Sequence, residues 1–240
     1  MSESRGWALV TGGARRLGAA ITRELSAAGY SVAIHFHESE AAAHALVDEL
    51  VDRDREAIAY QADLRDPSDC RGLVAAAWSE LEAVSLLVNN AGSFGSGTGL
   101  AEEEDFDRTI ALNLRAPYLL SRQLGDLMRA SRGGAIVNVA SVGGIRPYGS
   151  NLPYSLSKAG LIMLTRGLAK ELAPYVRVNA VAPGSVDMPG EEGEAPLGPL
   201  NRIPAGRHGR STEVAAAVAF LATAEYCSGQ VLAIDGGMSL

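Results

Sequence analysis

Tyr154 and Lys158 stand four residues apart, and on a helix that spacing puts both side chains on one face. A phenol beside a fixed ammonium ionises more readily than its reference value of about 10, because the cation favours phenolate. Such a tyrosine can donate and accept a proton near neutral pH. Ser141 precedes Tyr154 by thirteen residues. It follows an apolar run, so its hydroxyl is expected at the carboxyl end of a strand. Alone, Y-x-x-x-K recurs by chance and marks a solvated helix face. Its weight here comes from three companions in order. Thr11-Gly12-Gly13-Ala14-Arg15-Arg16-Leu17-Gly18 lies near the start, Asn89-Asn90-Ala91-Gly92 in the middle, and Pro183-Gly184 after the pair.

The elements that must position these residues alternate along the chain. Trp7–Val10 is a short apolar run ending at a glycine turn, and a helical pattern over Leu17–Ala28 stops at Gly29. Ser31–Phe36 reads as a second strand, and Ser39 is placed to cap the alanine-rich helix reaching about Asp54. Ala57–Ala62, Ser85–Asn89, Ala135–Ala140, Val176–Ala182 and Gln230–Ile234 complete seven strand candidates, with helical stretches near 68–81, 103–130, 153–172 and 211–223. Strands separated by helices imply right-handed crossovers and a parallel sheet covered on both faces. The expected fold is therefore α/β: one Rossmann-type, doubly wound, seven-stranded parallel domain over 1–240. Ser185–Arg210, rich in Gly, Pro and Glu, interrupts the alternation and reads as a substrate loop or lid.

Composition narrows the partners. A formal charge of -7 argues against nucleic acid, which needs a clustered positive field. Cys70 and Cys227 are the two cysteines and have no C-x-x-C spacing, so no disulfide framework or zinc site is expected. His35 and His37 share a strand face, yet no third ligand accompanies them and no metal is expected. With no apolar run long enough for a bilayer and a short polar start, a cytoplasmic protein without membrane contact is expected.

A glycine cluster between a strand and a helix cradles a pyrophosphate at the positive helix end. With that context, the residues resemble the short-chain dehydrogenase/reductase family over essentially the whole chain. The family pattern T-G-x-x-x-G-x-G is met at Thr11, Gly12 and Gly18. Arg16 replaces its middle glycine, as in the pteridine reductase branch. A carboxylate at the end of the second strand would select NAD by bonding the ribose hydroxyls. That position is Phe36, while Arg15, Arg16, His37 and Ser39 offer donors for a 2′-phosphate. NADP(H) is therefore favoured over NAD(H), with Glu38 read as a solvated turn charge. Leu17 belongs to the same turn. By resemblance, Asp63 and Leu64 meet the adenine, and Asn89, Asn90, Ala91 and Gly92 support the adenosine ribose. Pro183, Gly184 and Val186 pack on the nicotinamide, where Met188 replaces the usual threonine.

The resemblance also implies roles. Ser141 donates to the substrate oxygen, Tyr154 moves the proton, and Lys158 holds the nicotinamide ribose. Asn113 orders a water for proton relay. The reaction expected is reduction of a carbonyl, either a ketone or a 3-oxoacyl group. A pterin-like C=N bond is the alternative, with Arg16 bonding ring heteroatoms and Phe94 stacking on the ring. Ser141 stands where pteridine reductases commonly carry Asp, which tilts the choice to a ketone. The acidic residues Glu191, Glu192 and Glu194 read first as a solvated lid and secondarily disfavour an acidic carrier protein as partner. A non-catalytic nucleotide-binding regulator ranks far lower, because Ser141, Tyr154 and Lys158 are all present. The resemblance also implies a homo-oligomer, dimer or tetramer, since the family pairs the long helices that lie here near 103–130 and 153–172.

Overall fold

The computed structural model describes residues 5–81, 84–95, 101–148, 151–188 and 199–240. Seven parallel strands form one sheet: β1 (Trp7–Val10), β2 (Ser31–Phe36), β3 (Ala57–Gln61), β4 (Val84–Asn89), β5 (Gly134–Val139), β6 (Val176–Pro183) and β9 (Val231–Ile234). Their order across the sheet is β3-β2-β1-β4-β5-β6-β9. The chain reverses direction across the sheet between β1 and β4, and that switch point is where an open parallel sheet leaves a crevice. The expected strands differ from these by a residue at some ends. Two short strands that periodicity did not reveal, β7 (Val186–Asp187) and β8 (Gly209–Arg210), pair in parallel. They tie together the two described ends of the expected loop. Glu191, Glu192 and Glu194 lie outside the described residues.

Alternation along each strand explains the near-continuous apolar runs. Val10, Ile34, Leu86 and Val137 face one side, where they meet Ile21 and Leu25 of α1 (Arg16–Ala27), Leu46 of α2 (Glu40–Val51) and Val218 of α7 (Ser211–Thr223). Their neighbours Leu9, Ala33, Leu87 and Ile136 face the other side. There they meet Leu73 of α3 (Pro67–Glu80), Leu120 and Leu124 of α5 (Ala116–Ala130) and Leu168 of α6 (Leu152–Glu171). A sheet buried on both faces favours near-continuous apolar runs. Burying each such Leu or Ile fully contributes about 1.5–3 kcal/mol.

The helix expected over 103–130 is three pieces. α4 (Glu103–Ile110) passes into a π-helical turn at Ala111–Arg115 before α5 begins. The widened turn re-aims Asn113, and π-bulges of this kind concentrate at functional sites.

Candidate active site

The glycine turn is shaped by close approach. Gly12 has φ +59, and a Cβ on Gly18 would stand 1.9 Å from the Gly12 carbonyl oxygen, so position 18 admits no side chain. Arg16 takes φ 51, the left-handed region that a glycine would occupy without strain. For a larger L-residue that conformation costs about 1–2 kcal/mol. Thr11 Oγ1 accepts from the backbone N–H of Asn90 (2.9 Å) and Ala91 (3.0 Å). The Asn90 side chain donates to the carbonyls of Thr11 and Gly12. The ends of β1 and β4 are thereby locked together across the switch point.

His35 is a further pin of this turn, and its pattern in the sequence suggested only a metal ligand to be rejected. Buried in β2, its Nδ1 accepts from the Gly12 N–H at 3.0 Å, and Nε2 lies 3.1 Å from the Ala62 carbonyl. This pattern requires the proton on Nε2. Burial pushes the imidazole down to about 4, so it stays neutral at physiological pH. No group of three metal-ligating side chains occurs among the described residues.

The strand ends carry the second half of the site. Ser141 stands two residues past the end of β5, and its Oγ accepts from the Gly143 N–H at 3.0 Å. A short 3₁₀ turn, Val142–Gly144, then packs onto α6. A Cβ on Gly144 would sit 2.6 Å from the Lys158 carbonyl carbon. That contact brings Ser141 beside the first turn of the helix. α6 starts at a cap in which Asn151 Oδ1 accepts from the Tyr154 N–H at 3.2 Å, with Pro153 in its first turn. Lys158 is buried and donates from Nζ to the Val139 carbonyl at 2.8 Å. Nζ lies 5.7 Å from the centre of the Tyr154 ring.

The expectation that the lysine eases tyrosine ionisation is corrected by burial. Desolvation pushes the Tyr154 phenol up to about 12, against a smaller opposing pull from the Ser141 hydroxyl. Burial also lowers the Lys158 ammonium to about 8. Both shifts disfavour the charged form, and Tyr154 stays a protonated donor.

Asn113 is satisfied by distant partners and not by its own helix. Its Oδ1 accepts from the Ser93 N–H at 2.9 Å, and Nδ2 donates to the Ser93 carbonyl (2.9 Å) and Ser157 Oγ (3.1 Å). A Cβ on Gly92 would lie 3.2 Å from Asn113 Oδ1 and 3.4 Å from Lys158 Nζ. Asn113 and Lys158 therefore flank Gly92.

One cleft of about 670 Å³ joins the two halves. The glycine turn with Arg15, Arg16, Leu17 and Ser39 lines one end, and Ser141, Tyr154, Lys158 and Phe94 line the other. Asn90, Ala91 and Gly92 form a wall between them, with Pro183, Gly184, Val186 and Met188 also on the cleft. The residues fit an extended dinucleotide. Helix α1 opens with no side-chain cap and no acidic residue in its first turn, leaving its positive end for a phosphate. Arginines stand at that end, and a serine, a tyrosine and a lysine stand at the other.

Other expected contacts lie elsewhere. Asn89 is buried and donates to Ser121 Oγ (2.9 Å) and Asn138 Oδ1 (2.8 Å), a polar bridge within the core. Leu64 is buried in the core around α3. The Asp63 carboxylate is paired with Arg65 at 2.8 Å, and that hydrogen bond holds it down to about 2. His37 lies between Glu38 (3.5 Å) and Asp63 (3.8 Å). The Glu38 side chain is exposed. Phe36 is buried and meets the His44 ring edge-on. None of Asn89, Leu64, Asp63, His37 or Phe36 lines the cleft. Ser39 occupies the N-cap of α2, but its side chain makes no capping bond. Sequence reasoning missed Tyr148, which lines the cleft beside Ser141. An aromatic residue in the irregular stretch between Ser141 and Tyr154 was the available signal.

Comparison with known proteins places this arrangement. Residues 6–195 match the family described as short chain dehydrogenase. The chain is 38% identical over 238 residues to the 3-oxoacyl-[acyl-carrier-protein] reductase of Synechocystis sp., covering 96% of each. Among solved structures, it superposes on a blue fluorescent protein from a metagenomic library in complex with NADPH at TM-score 0.90, with 34% identity and complete coverage of both chains. FolM alternative dihydrofolate reductase 1 from Brucella canis, complexed with NADP, superposes at TM-score 0.86 with 33% identity, covering 98% of this chain and 94% of that one.

Proposed function

We propose, for a chain that belongs to the short-chain dehydrogenase/reductase family, that this oxidoreductase is an NADPH-dependent reductase of ketone or 3-oxoacyl groups. The observation that carries the reading is the convergence of Ser141, Tyr154 and Lys158 on one end of a cleft whose other end suits a phosphate, with Asn113 buried behind the Ser93 wall. NADPH would lie along that cleft, with Arg15, Arg16 and Ser39 at the 2′-phosphate, and would supply the hydride. Ser141 holds the carbonyl oxygen by its hydroxyl. Tyr154, a phenol that stays protonated near neutral pH, delivers the proton to that oxygen. Lys158 lies beneath the phenol and near Gly92, where it can hold ribose hydroxyls and stabilise the phenolate left behind. Asn113 fixes the Ser93 backbone at the wall between them.

The name of the Synechocystis relative supports a 3-oxo substrate, and the NADPH and NADP complexes of structural neighbours support the cofactor. A pteridine ring is the second reading, favoured by Arg16 and Phe94 on the same cleft and by the FolM likeness. Ser141 gives a ketone the better fit, because a hydroxyl serves a carbonyl oxygen while a ring nitrogen needs an acid. A homo-oligomer also belongs to the proposal. Leu152, Leu156 and Met163 form an exposed apolar stripe along α6, with Tyr118 exposed on α5.

Tyr154→Phe tests the reading. Turnover of a 3-oxoacyl thioester with NADPH should fall by about 10²–10⁴ while NADPH binding holds, as expected for losing a positioned acid. Near-normal kcat in this variant would overturn it.

A further inference from the structure

The described chain gathers aromatic residues where its chemistry is done, although only 5% of the sequence is aromatic. The Phe94 and Tyr154 ring centres are 4.8 Å apart, Phe94 and Tyr148 6.1 Å, and Tyr148 and Tyr154 6.2 Å with planes 18° from parallel. All three line the cleft with Ser141.

Their placement is built. The Tyr148 N–H donates to Ser155 Oγ at 2.9 Å, and the Phe94 carbonyl accepts from the Asn151 side chain. Both loops are thus pinned to the first turn of the helix that carries Tyr154. The Tyr148 ring lies over Gly143, where a Cβ would come within 2.6 Å of its Cε2, so this ring position depends on glycine there. The Ser141 hydroxyl interacts with both phenols. Phe94 is 45% exposed, leaving a ring face open at the cleft mouth.

A flexible alkyl chain gains only area from such a wall. A flat conjugated ring also gains offset or edge contacts with each ring face, and it has few rotors to freeze. We propose that the substrate is a ketone carried on or beside a flat aromatic ring system, and that Tyr148 is the residue setting this preference. The inference rests on the carbonyl-reductase reading. In the step, the C=O π bond becomes C–H and O–H. NADPH gives the hydride and is oxidised to NADP⁺, and Tyr154 gives the proton and is reprotonated from solvent. The product is the benzylic-type secondary alcohol.

The test uses 1-tetralone and 1-decalone, which share a carbon skeleton and differ in flatness. Each is titrated by calorimetry into enzyme saturated with NADP⁺, where no turnover occurs, and each is assayed for kcat/KM with NADPH. Tetralone should bind at least fivefold tighter than decalone, in keeping with roughly two- to tenfold for each ring contact. Tyr148→Leu should erase most of that ratio in both binding and kcat/KM. Tyr148→Phe, which keeps the ring, should preserve the ratio while lowering kcat on both ketones together. Equal binding of the two ketones by the wild type would overturn the proposal. So would Tyr148→Leu weakening both ketones alike while Tyr148→Phe behaves as wild type. A tetralone binding preference without reduction of either ketone would support the wall and sink the reductase reading.

Discussion

Replacing Lys158 by Met should stabilise the folded chain near neutral pH while destroying its chemistry. The ammonium is buried, and burial lowers it from 10.5 to about 8. Each pH unit of that gap corresponds to about 1.36 kcal/mol, so the folded state bears a penalty of roughly 3 kcal/mol while the lysine is charged. Below pH 8 both states carry the proton and the whole penalty applies. Between pH 8 and 10.5 the unfolded chain holds a proton that the folded chain has released, so wild-type stability rises with pH. Above 10.5 the penalty is gone. Methionine fills similar space but leaves the Val139 carbonyl without the lysine donor, an offset of about 1–3 kcal/mol that does not vary with pH. The discriminating quantity is therefore the pH dependence of the difference between the two proteins. Urea unfolding of wild type and Lys158→Met at pH 7, 8, 9 and 10 measures it, with other titrating groups cancelling in the subtraction. The difference should move in favour of wild type by roughly 2 kcal/mol between pH 7 and 10. A difference flat within about 0.5 kcal/mol would refute the account of Lys158 as a destabilising buried cation.

Gly18→Ala should lose about 2 kcal/mol or more of stability together with NADPH binding, because the new Cβ meets the Gly12 carbonyl at 1.9 Å. A melting temperature within a degree or so of wild type would contradict it. Asn113→Ala strips partners from the Ser93 N–H, the Ser93 carbonyl and the Ser157 hydroxyl. Chemical denaturation should show a loss of about 2–4 kcal/mol, and an unchanged midpoint would mean these groups re-pair easily. Arg16→Gly removes a cation from the cleft and relieves the left-handed φ of 51. Fluorescence titration should find NADPH weakened by about tenfold, equivalent to about 1.4 kcal/mol, with NADH nearly unchanged and stability no worse. Equal weakening of both cofactors would place Arg16 away from the 2′-phosphate.

Much of this protein is local in origin and therefore readable along the chain. A strand covered on both faces reads as a near-continuous apolar run, so Trp7–Val10 and Ser31–Phe36 mark the sheet. The four-residue spacing of Tyr154 and Lys158 is set by helix geometry alone, and the glycine turn by which positions admit no Cβ. The protonation of Tyr154 is different in kind. Local spacing suggested an easily ionised phenol, but desolvation depends on everything packed around it, and it pushes the phenol up against the smaller pull of the Ser141 hydroxyl. The same holds for side-chain direction at strand ends. Asn89 and Asn90 are adjacent, yet the first turns into the core toward Ser121 and the second pins the glycine turn. Tyr148 and His35 become meaningful only through remote partners: Gly143 and Ser155 for one, Gly12 and Ala62 for the other. Those meetings are made by the order of strands across the sheet and the packing of α6, and no period or motif in the chain encodes them.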